Sequence, residues 1–364
     1  MRVMEEQTAK ISNRTAFLLA VTITLRSMEY FLPQYMADSA KQAFWLSPLF
    51  MFALLILVFP AYSIILKTFA GMNPVDIMRK VFGRVAGALV GAVAFIWMVI
   101  LSAFLVRYFV EGLSIKFYTY VDTELLLIFI LLVIGFVLHF KTVYVSRIND
   151  IFVFIFLFLS ALSFILLLTR MDVKNLAPVS SHNVPSMITS GIGGLGIVAI
   201  GLNIFFLTDR IAYKKNFLFS GVGLSGFILV AGIVLLLSTV GVFGYSVVSK
   251  LTFPYTQSIK TIHFLGIDRV DALFVPILQF IDIITITMMF FIVLTFFKGL
   301  FKLEEVKPFI WLLVAFVGAL GIALANNFFD LLASFREVFI YGNIFITLFL
   351  PLVIAIVAKL RKLA

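Results

Sequence analysis

Apolar runs about twenty residues long recur along this chain, and they limit its fold more than any other feature. A helix needs roughly 20 apolar residues to cross the hydrocarbon core of a bilayer. Ten runs meet or approach that length: 14–33, 44–66, 85–109, 124–140, 150–169, 187–207, 217–241, 271–297, 308–325 and 336–358. Of 364 residues 63% are hydrophobic and 13% charged, more apolar surface than a soluble fold buries. The expected class is an all-α integral membrane protein, one polytopic domain over 1–364 with ten transmembrane helices. The first run carries charges and lacks a small-residue cleavage site close behind it, so it reads as a retained span rather than a signal peptide.

Orientation follows from Lys and Arg. With the N-terminus inside, the segments 1–14, 67–84, 141–150, 208–216, 298–307 and 359–364 are cytoplasmic. They hold 18 of the 28 basic and 7 of the 18 acidic residues, a net of +11. The remainder holds 10 basic and 11 acidic residues, a net of −1. This bias predicts cytoplasmic N- and C-termini and an even number of spans. It also accounts for the formal charge of +10 without nucleic acid. The chain has no cysteine and three scattered histidines, His139, His182 and His263. Thiolate metal sites and cysteine nucleophiles are excluded, and no metal, cofactor or catalytic constellation is expected.

The chemistry lies inside the apolar runs. In "TITLRSMEYFLP" (22–33), Arg26 and Glu29 stand three residues apart, on one helix face, about 16 Å in from Thr15. A charge at that depth must face protein or water. The pair reads either as a structural ion pair or as the lining of a polar cavity with Thr24 and Ser27 beside it. Run six, "SGIGGLGIVAIGLN", has five glycines, Gly191, Gly193, Gly194, Gly196 and Gly201. Glycine weakens a helix interior by roughly 1 kcal/mol relative to alanine. The cluster reads either as an unwound segment lining a cavity or as a surface for close helix packing.

Runs one and six head two five-helix halves, about 11–170 and 186–358. Transporters built from inverted repeats carry discontinuous helices at corresponding places and bind substrate at mid-membrane. Spans one and six are therefore expected to be discontinuous. A zwitterionic amino acid suits such a site, its carboxylate on helix N-termini and its ammonium on carbonyls or an acid such as Glu29. Run eight adds Asp282, which needs a partner, a cation or a proton, and Thr285 and Thr287, which alternatively bond back to their own helix. The candidate ligand-binding residues are Thr24, Arg26, Ser27, Glu29, Gly193, Gly194, Gly196, Asn203, Asp282 and Thr285. Three weaker features complete the picture. Gly83, Gly87 and Gly91 form a tandem GxxxG that predicts internal helix packing. Arg107 and Glu111 predict an interfacial pair at the end of run three. The segment 245–274 reads as short helices over the outer face or as a plain surface loop.

"FLPQYMADSAKQAFW" (31–45), with Leu32-Pro33, Ala40-Lys41-Gln42 and Trp45, resembles the first loop of the bacterial spore germination permease-like family, the B subunits of nutrient germinant receptors. "FPYTQSIKTIHFLGIDRVDALF" (253–274), with Pro254 and Arg269-x-Asp271, resembles that family's segment before its eighth span. The resemblance covers nearly the whole chain. It implies an amino acid–polyamine–organocation superfamily fold, the LeuT-like five-plus-five inverted repeat. It implies a subunit that binds a small nutrient, an amino acid or a nucleoside, in the spore inner membrane, with a large A subunit and a C lipoprotein as partners. A proton- or sodium-coupled amino acid transporter is the alternative. The chain departs from the family at Arg26 and Met28, where small residues are usual, near Asn203, where an acid is frequent, and at Leu278, where a tryptophan is usual. These departures bear on the ligand more than on the fold.

Overall fold

A bilayer leaves no water for free backbone groups, so apolar runs of this length close their hydrogen bonds within helices. The computed structural model, which describes residues 10–177, 184–262 and 271–363, has a helix at each of the ten runs and no named strand among the described residues. Eight helical segments are long and apolar enough to cross a membrane. They are spans one (Asn13–Ala40), two (Ala43–Thr68), three (Arg84–Lys116), five (Thr142–Arg170), six (Val184–Phe206), seven (Phe217–Phe243), eight (Phe274–Phe301) and ten (Phe328–Leu360). Thr123–Val137 and Lys307–Ala323 are shorter apolar helices at the places of spans four and nine.

Spans one, six and eight form the middle of the protein. Of their most apolar windows 89%, 83% and 83% is buried by protein, against 22% for span five at the periphery. The glycines of span six make this possible. A Cβ on Gly201 would run into Ala20 O and Thr24 of span one. One on Gly193 would overlap the Tyr35 ring, and one on Gly196 would overlap the Ile340 backbone of span ten. Small residues let span six approach spans one and ten to backbone contact.

That packing corrects one expectation. Span one is an unbroken helix from Asn13 to Ala40, through both charges and Pro33, capped by Ser12 Oγ accepting from Thr15 N–H at 3.1 Å. Span six is helical from Val184 to Leu202 and closes in a single 3₁₀ turn, Asn203–Phe206. Neither is discontinuous. The glycines serve helix contact, and the span-one charges are satisfied by side chains, so neither segment needs free backbone groups. The tenth span is irregular, with π-helical turns at Phe335–Phe339 and Ile344–Phe349. Between them Asn343 donates from Nδ2 to Gly196 O at 3.0 Å and accepts at Oδ1 from Trp97 Nε1 at 3.1 Å.

The basic segments gather on one face, here called the basic face. There Ile11 pairs with Ile211, its N–H donating to Arg210 O at 2.8 Å. An amphipathic helix, Pro74–Phe82, packs on span three. Gly83 makes the turn with φ +97°, Gly87 meets the Met78 and Arg79 backbone, and Gly91 meets Val75. The tandem GxxxG is thus an internal packing surface. Arg79 donates to Gly299 O and Leu300 O at 2.8 and 3.0 Å, a cation on the C-terminus of the span-eight helix.

On the opposite face two short helices, Tyr245–Val248 and Pro254–Lys260, follow span seven. They agree with the helical reading of 245–274 where that segment is described. Arg269 and His263 of the segment, like His182, lie outside the described residues. Arg107 and Glu111 pair at 2.7 Å, and Arg336 of span ten pairs with Asp38 of span one at 2.7 Å.

Candidate functional site

Arg26 lies 13 residues into span one, about 20 Å along its axis, and Asp282 lies 11 residues into the Asp271–Phe301 helix that contains span eight. Both are near mid-membrane and almost wholly buried, at 4% and 3% exposure. The guanidinium forks onto Asp282, Nε to Oδ1 at 2.7 Å and Nη2 to Oδ2 at 2.8 Å. Its third nitrogen, Nη1, donates to Glu29 Oε2 at 2.9 Å. The Tyr30 hydroxyl accepts from Arg26 Nη2 and donates to Asp282 Oδ2, each at 2.5 Å. Bidentate, charge-assisted bonds of this kind are the strongest a protein offers a buried ion pair.

The structure pairs the two charges of the opening stretch. Arg26 and Glu29 are a pair, and Arg26 has a second, closer partner on span eight that helical spacing alone does not reveal. The network joins two carboxylates to one guanidinium. Lys116 supplies another cation, but on the Asp282 side. It lines, with Arg26 and Asp282, a cavity of about 20 Å³, and its Nζ sits 4.2 Å over the Phe253 ring.

Glu29 faces the other way. Its Oε1 is 3.5 Å from Ser160 Oγ and stands at the wall of a 210 Å³ cavity between spans one, five and seven. Leu25, Leu157, Phe164, Phe227, Val234 and Leu235 make most of the wall. The polar groups are Glu29, Ser160, Ser238 and Tyr255, and among the described residues none that lines the cavity is basic. Tyr255 shares a 2.7 Å hydrogen bond with Ser163 and belongs to the helix Pro254–Lys260, which thereby covers the network on the opposite face. Phe253 completes the cover, edge-on to Tyr30 and Tyr108. An apolar pocket with a few convergent polar groups is the usual form of a small-molecule site.

The other expected residues fall elsewhere. Thr24 donates to Val198 O of span six at 3.4 Å, and Ser27 to Ile23 O of its own helix at 2.8 Å. Gly193, Gly194 and Gly196 are packed against Tyr35, Met36 and Met51, and Ile340. Asn203 Oδ1 accepts from Thr347 Oγ1 at 2.6 Å, in a separate cluster with Tyr62. The Thr285 and Thr287 hydroxyls are buried, and neither bonds back to its own helix nor joins the network. Of the ten expected residues the structure brings together three, Arg26, Glu29 and Asp282. Sequence reasoning missed Tyr30, Ser160, Tyr255 and Lys116. Tyr30, at i+4 from Arg26, had a helical signal. The others had none, because only folding brings spans three and five and the 254–260 helix to span one.

The chain matches the family described as spore germination protein over residues 10–330. It belongs to that family. No relative among the curated proteins matches it in sequence. Among solved structures, two mutants of the manganese transporter of Eremococcus coleocola superpose on this member of the spore germination family with TM-scores of 0.60 and 0.59. The same transporter in complex with an aromatic bis-isothiourea substituted compound gives 0.52. Each comparison covers 94% of this chain and 79% of the transporter at 13% identity. That likeness shows a shared fold, the LeuT-like fold of membrane transporters, and this spore germination protein is a multi-pass membrane protein of permease type.

Proposed function

We propose that this protein is the nutrient-sensing membrane subunit of a spore germination receptor, and that it binds a small amine-bearing nutrient, an amino acid in the first instance, at Glu29. The observation that carries this reading is the Glu29 carboxylate. It is buried at mid-membrane, with one oxygen on Arg26 and the other at a 210 Å³ cavity that no basic side chain lines among the described residues. A nutrient ammonium supplies the missing charge. Its carboxylate has a partner in Arg26 Nη1 once that bond to Glu29 opens, and its side chain occupies the apolar wall. Ligand binding changes the conformation to the extent that it favours one arrangement of spans one, five, seven and eight over another.

In this reading the protein is a receptor and not an enzyme. The basic face is cytoplasmic, the membrane is the spore inner membrane, and an A subunit and a C lipoprotein receive the signal. The test uses the full chain in sealed vesicles with labelled amino acids and nucleosides. Saturable binding that Glu29→Gln abolishes, without accumulation, is the expected result. Binding that Glu29→Gln leaves intact overturns the site.

The shared transporter fold favours a second reading, a proton- or sodium-coupled amino acid transporter with Glu29 and Asp282 as coupling groups. Accumulation of label against a gradient in the same vesicles decides for it.

A further inference from the structure

The Glu29 cavity is a groove with one open side. Span one is its floor, through Leu25 and Glu29, and spans five and seven are its walls. Those two spans lie at the periphery. Of their most apolar windows 22% and 44% is buried, against 89% for span one. Ala161 of span five and Val230 of span seven stand at the open edge, and both are exposed, Val230 by 61%. Val230 is at the middle of the 27-residue helix Phe217–Phe243. The bilayer core holds no water, so exposure at that depth is exposure to hydrocarbon. The cavity therefore opens sideways into the membrane.

The polar groups in its wall select one kind of partner. Ser238 Oγ donates to Leu235 O at 2.8 Å. Ser163 Oγ donates to Ser160 O at 2.8 Å, so the 2.7 Å bond between Ser163 and Tyr255 is donated by the Tyr255 hydroxyl. Ser160 Oγ donates to Glu29 Oε1 across 3.5 Å, a long bond. Each of these hydroxyl protons has its acceptor. What the wall still offers is acceptors, namely Glu29 Oε1 and the hydroxyl oxygens of Ser160 and Tyr255. An ammonium carries three donors and no acceptor, and it matches them. Among the described residues the wall offers a ligand carboxylate no donor until the bond from Arg26 Nη1 to Glu29 opens. A plain amine needs no such opening.

We propose that this site also binds primary alkylamines, with the ammonium on Glu29 and the tail leaving between Ala161 and Val230 into the bilayer. This rests on Glu29 being the ammonium partner, and it extends the ligand class from water-soluble nutrients to lipophilic amines. It has a consequence for chain length. A cavity of about 150 Å³ holds benzene, so 210 Å³ holds about eight non-hydrogen atoms. Hexylamine fits inside that space and dodecylamine does not. In a closed cavity the longer chain clashes. In an open one it runs on into lipid, an environment as apolar as the wall.

The experiment is thermal unfolding of the full chain in phosphatidylcholine vesicles, titrated with hexylamine and dodecylamine and, as controls for the bilayer itself, with hexanol and dodecanol. Concentrations are counted as mole fraction in the bilayer, which removes partitioning from the comparison. Both amines should raise the unfolding temperature saturably, and neither alcohol should. Glu29→Gln should abolish the rise. The two amines should half-saturate alike in the wild type. Ala161→Trp, at the open edge, should weaken dodecylamine about tenfold or more relative to hexylamine, the cost of forcing a chain past a filled gap. Val230→Trp serves if Ala161→Trp does not reach the membrane. Dodecylamine weaker than hexylamine by about tenfold or more in the wild type means a closed cavity and overturns the proposal, while the Glu29 site stands. Edge variants that leave the ratio of the two amines unchanged also overturn it. If neither amine stabilises the protein, or if Glu29→Gln keeps the rise, the ammonium site at Glu29 falls as well.

Discussion

Arg26 and Asp282, 256 residues apart in the chain, meet at mid-membrane through two parallel hydrogen bonds of 2.7 and 2.8 Å. Each is the other's principal partner, and both are buried. Removing Arg26 leaves the buried carboxylates of Glu29 and Asp282 without their shared cation, which typically costs about 3–5 kcal/mol, whereas replacing all members by apolar groups is often neutral. Arg26→Met should lower the unfolding temperature in detergent sharply. The combination Arg26→Met, Glu29→Gln and Asp282→Leu should recover most of the loss while abolishing nutrient binding. A single variant as stable as the parent would show that the fork does not hold spans one and eight together.

Tyr30 gives the fork its third member. Tyr30→Phe removes one bond accepted from Arg26 and one donated to Asp282. Asp282 Oδ2 keeps its bond to Arg26 Nη2. The expected destabilisation is about 1–3 kcal/mol, less than for Arg26→Met, because a bond to a charged group is lost but no charge is orphaned. The ordering of the two unfolding temperatures is the check.

The span-six glycines differ in what stands opposite them. Gly194 faces the flexible ends of Met36 and Met51, and Gly196 faces the Ile340 backbone. Methionine side chains give way and a neighbouring backbone does not. Gly194→Ala should therefore cost at most about 1 kcal/mol. Gly196→Ala should cost about 3 kcal/mol or more, by prising span ten from span six. Unfolding of the two variants side by side measures this, and equal losses would contradict the close contact at Ile340.

The Glu29 cavity can be closed without touching a charge. Ala231 lines it from span seven, and Ala231→Phe places a ring in the space assigned to the nutrient side chain. The protein should reach vesicles at its normal level and bind at least about tenfold more weakly, a loss of about 1.4 kcal/mol or more. Normal binding in this variant would place the nutrient elsewhere, even if Glu29→Gln still abolishes it.

The ten apolar runs, their helical state and the basic face were all legible in the sequence, because each depends on local properties summed along about twenty residues. Arg26 and Glu29 were legible as a pair, because three residues apart on a helix is a fixed distance. Asp282 was legible only as a group in need of a partner.

The tertiary structure decided what that partner is and what the glycines do. In "SGIGGLGIVAIGLN" the same five residues are compatible with an unwound segment or with close packing. Only the position of Tyr35, Met51 and Ile340 against them selects the second. The Glu29 cavity takes its walls from spans one, five and seven and the 254–260 helix. It leaves no periodic trace in the chain. The sequence by itself thus determined that this protein spans a membrane, since the free energy of transferring each run into lipid is set by that run alone. Which buried charges meet, and which of them face a cavity, was decided by helix packing, since those energies belong to pairs of residues far apart in the chain.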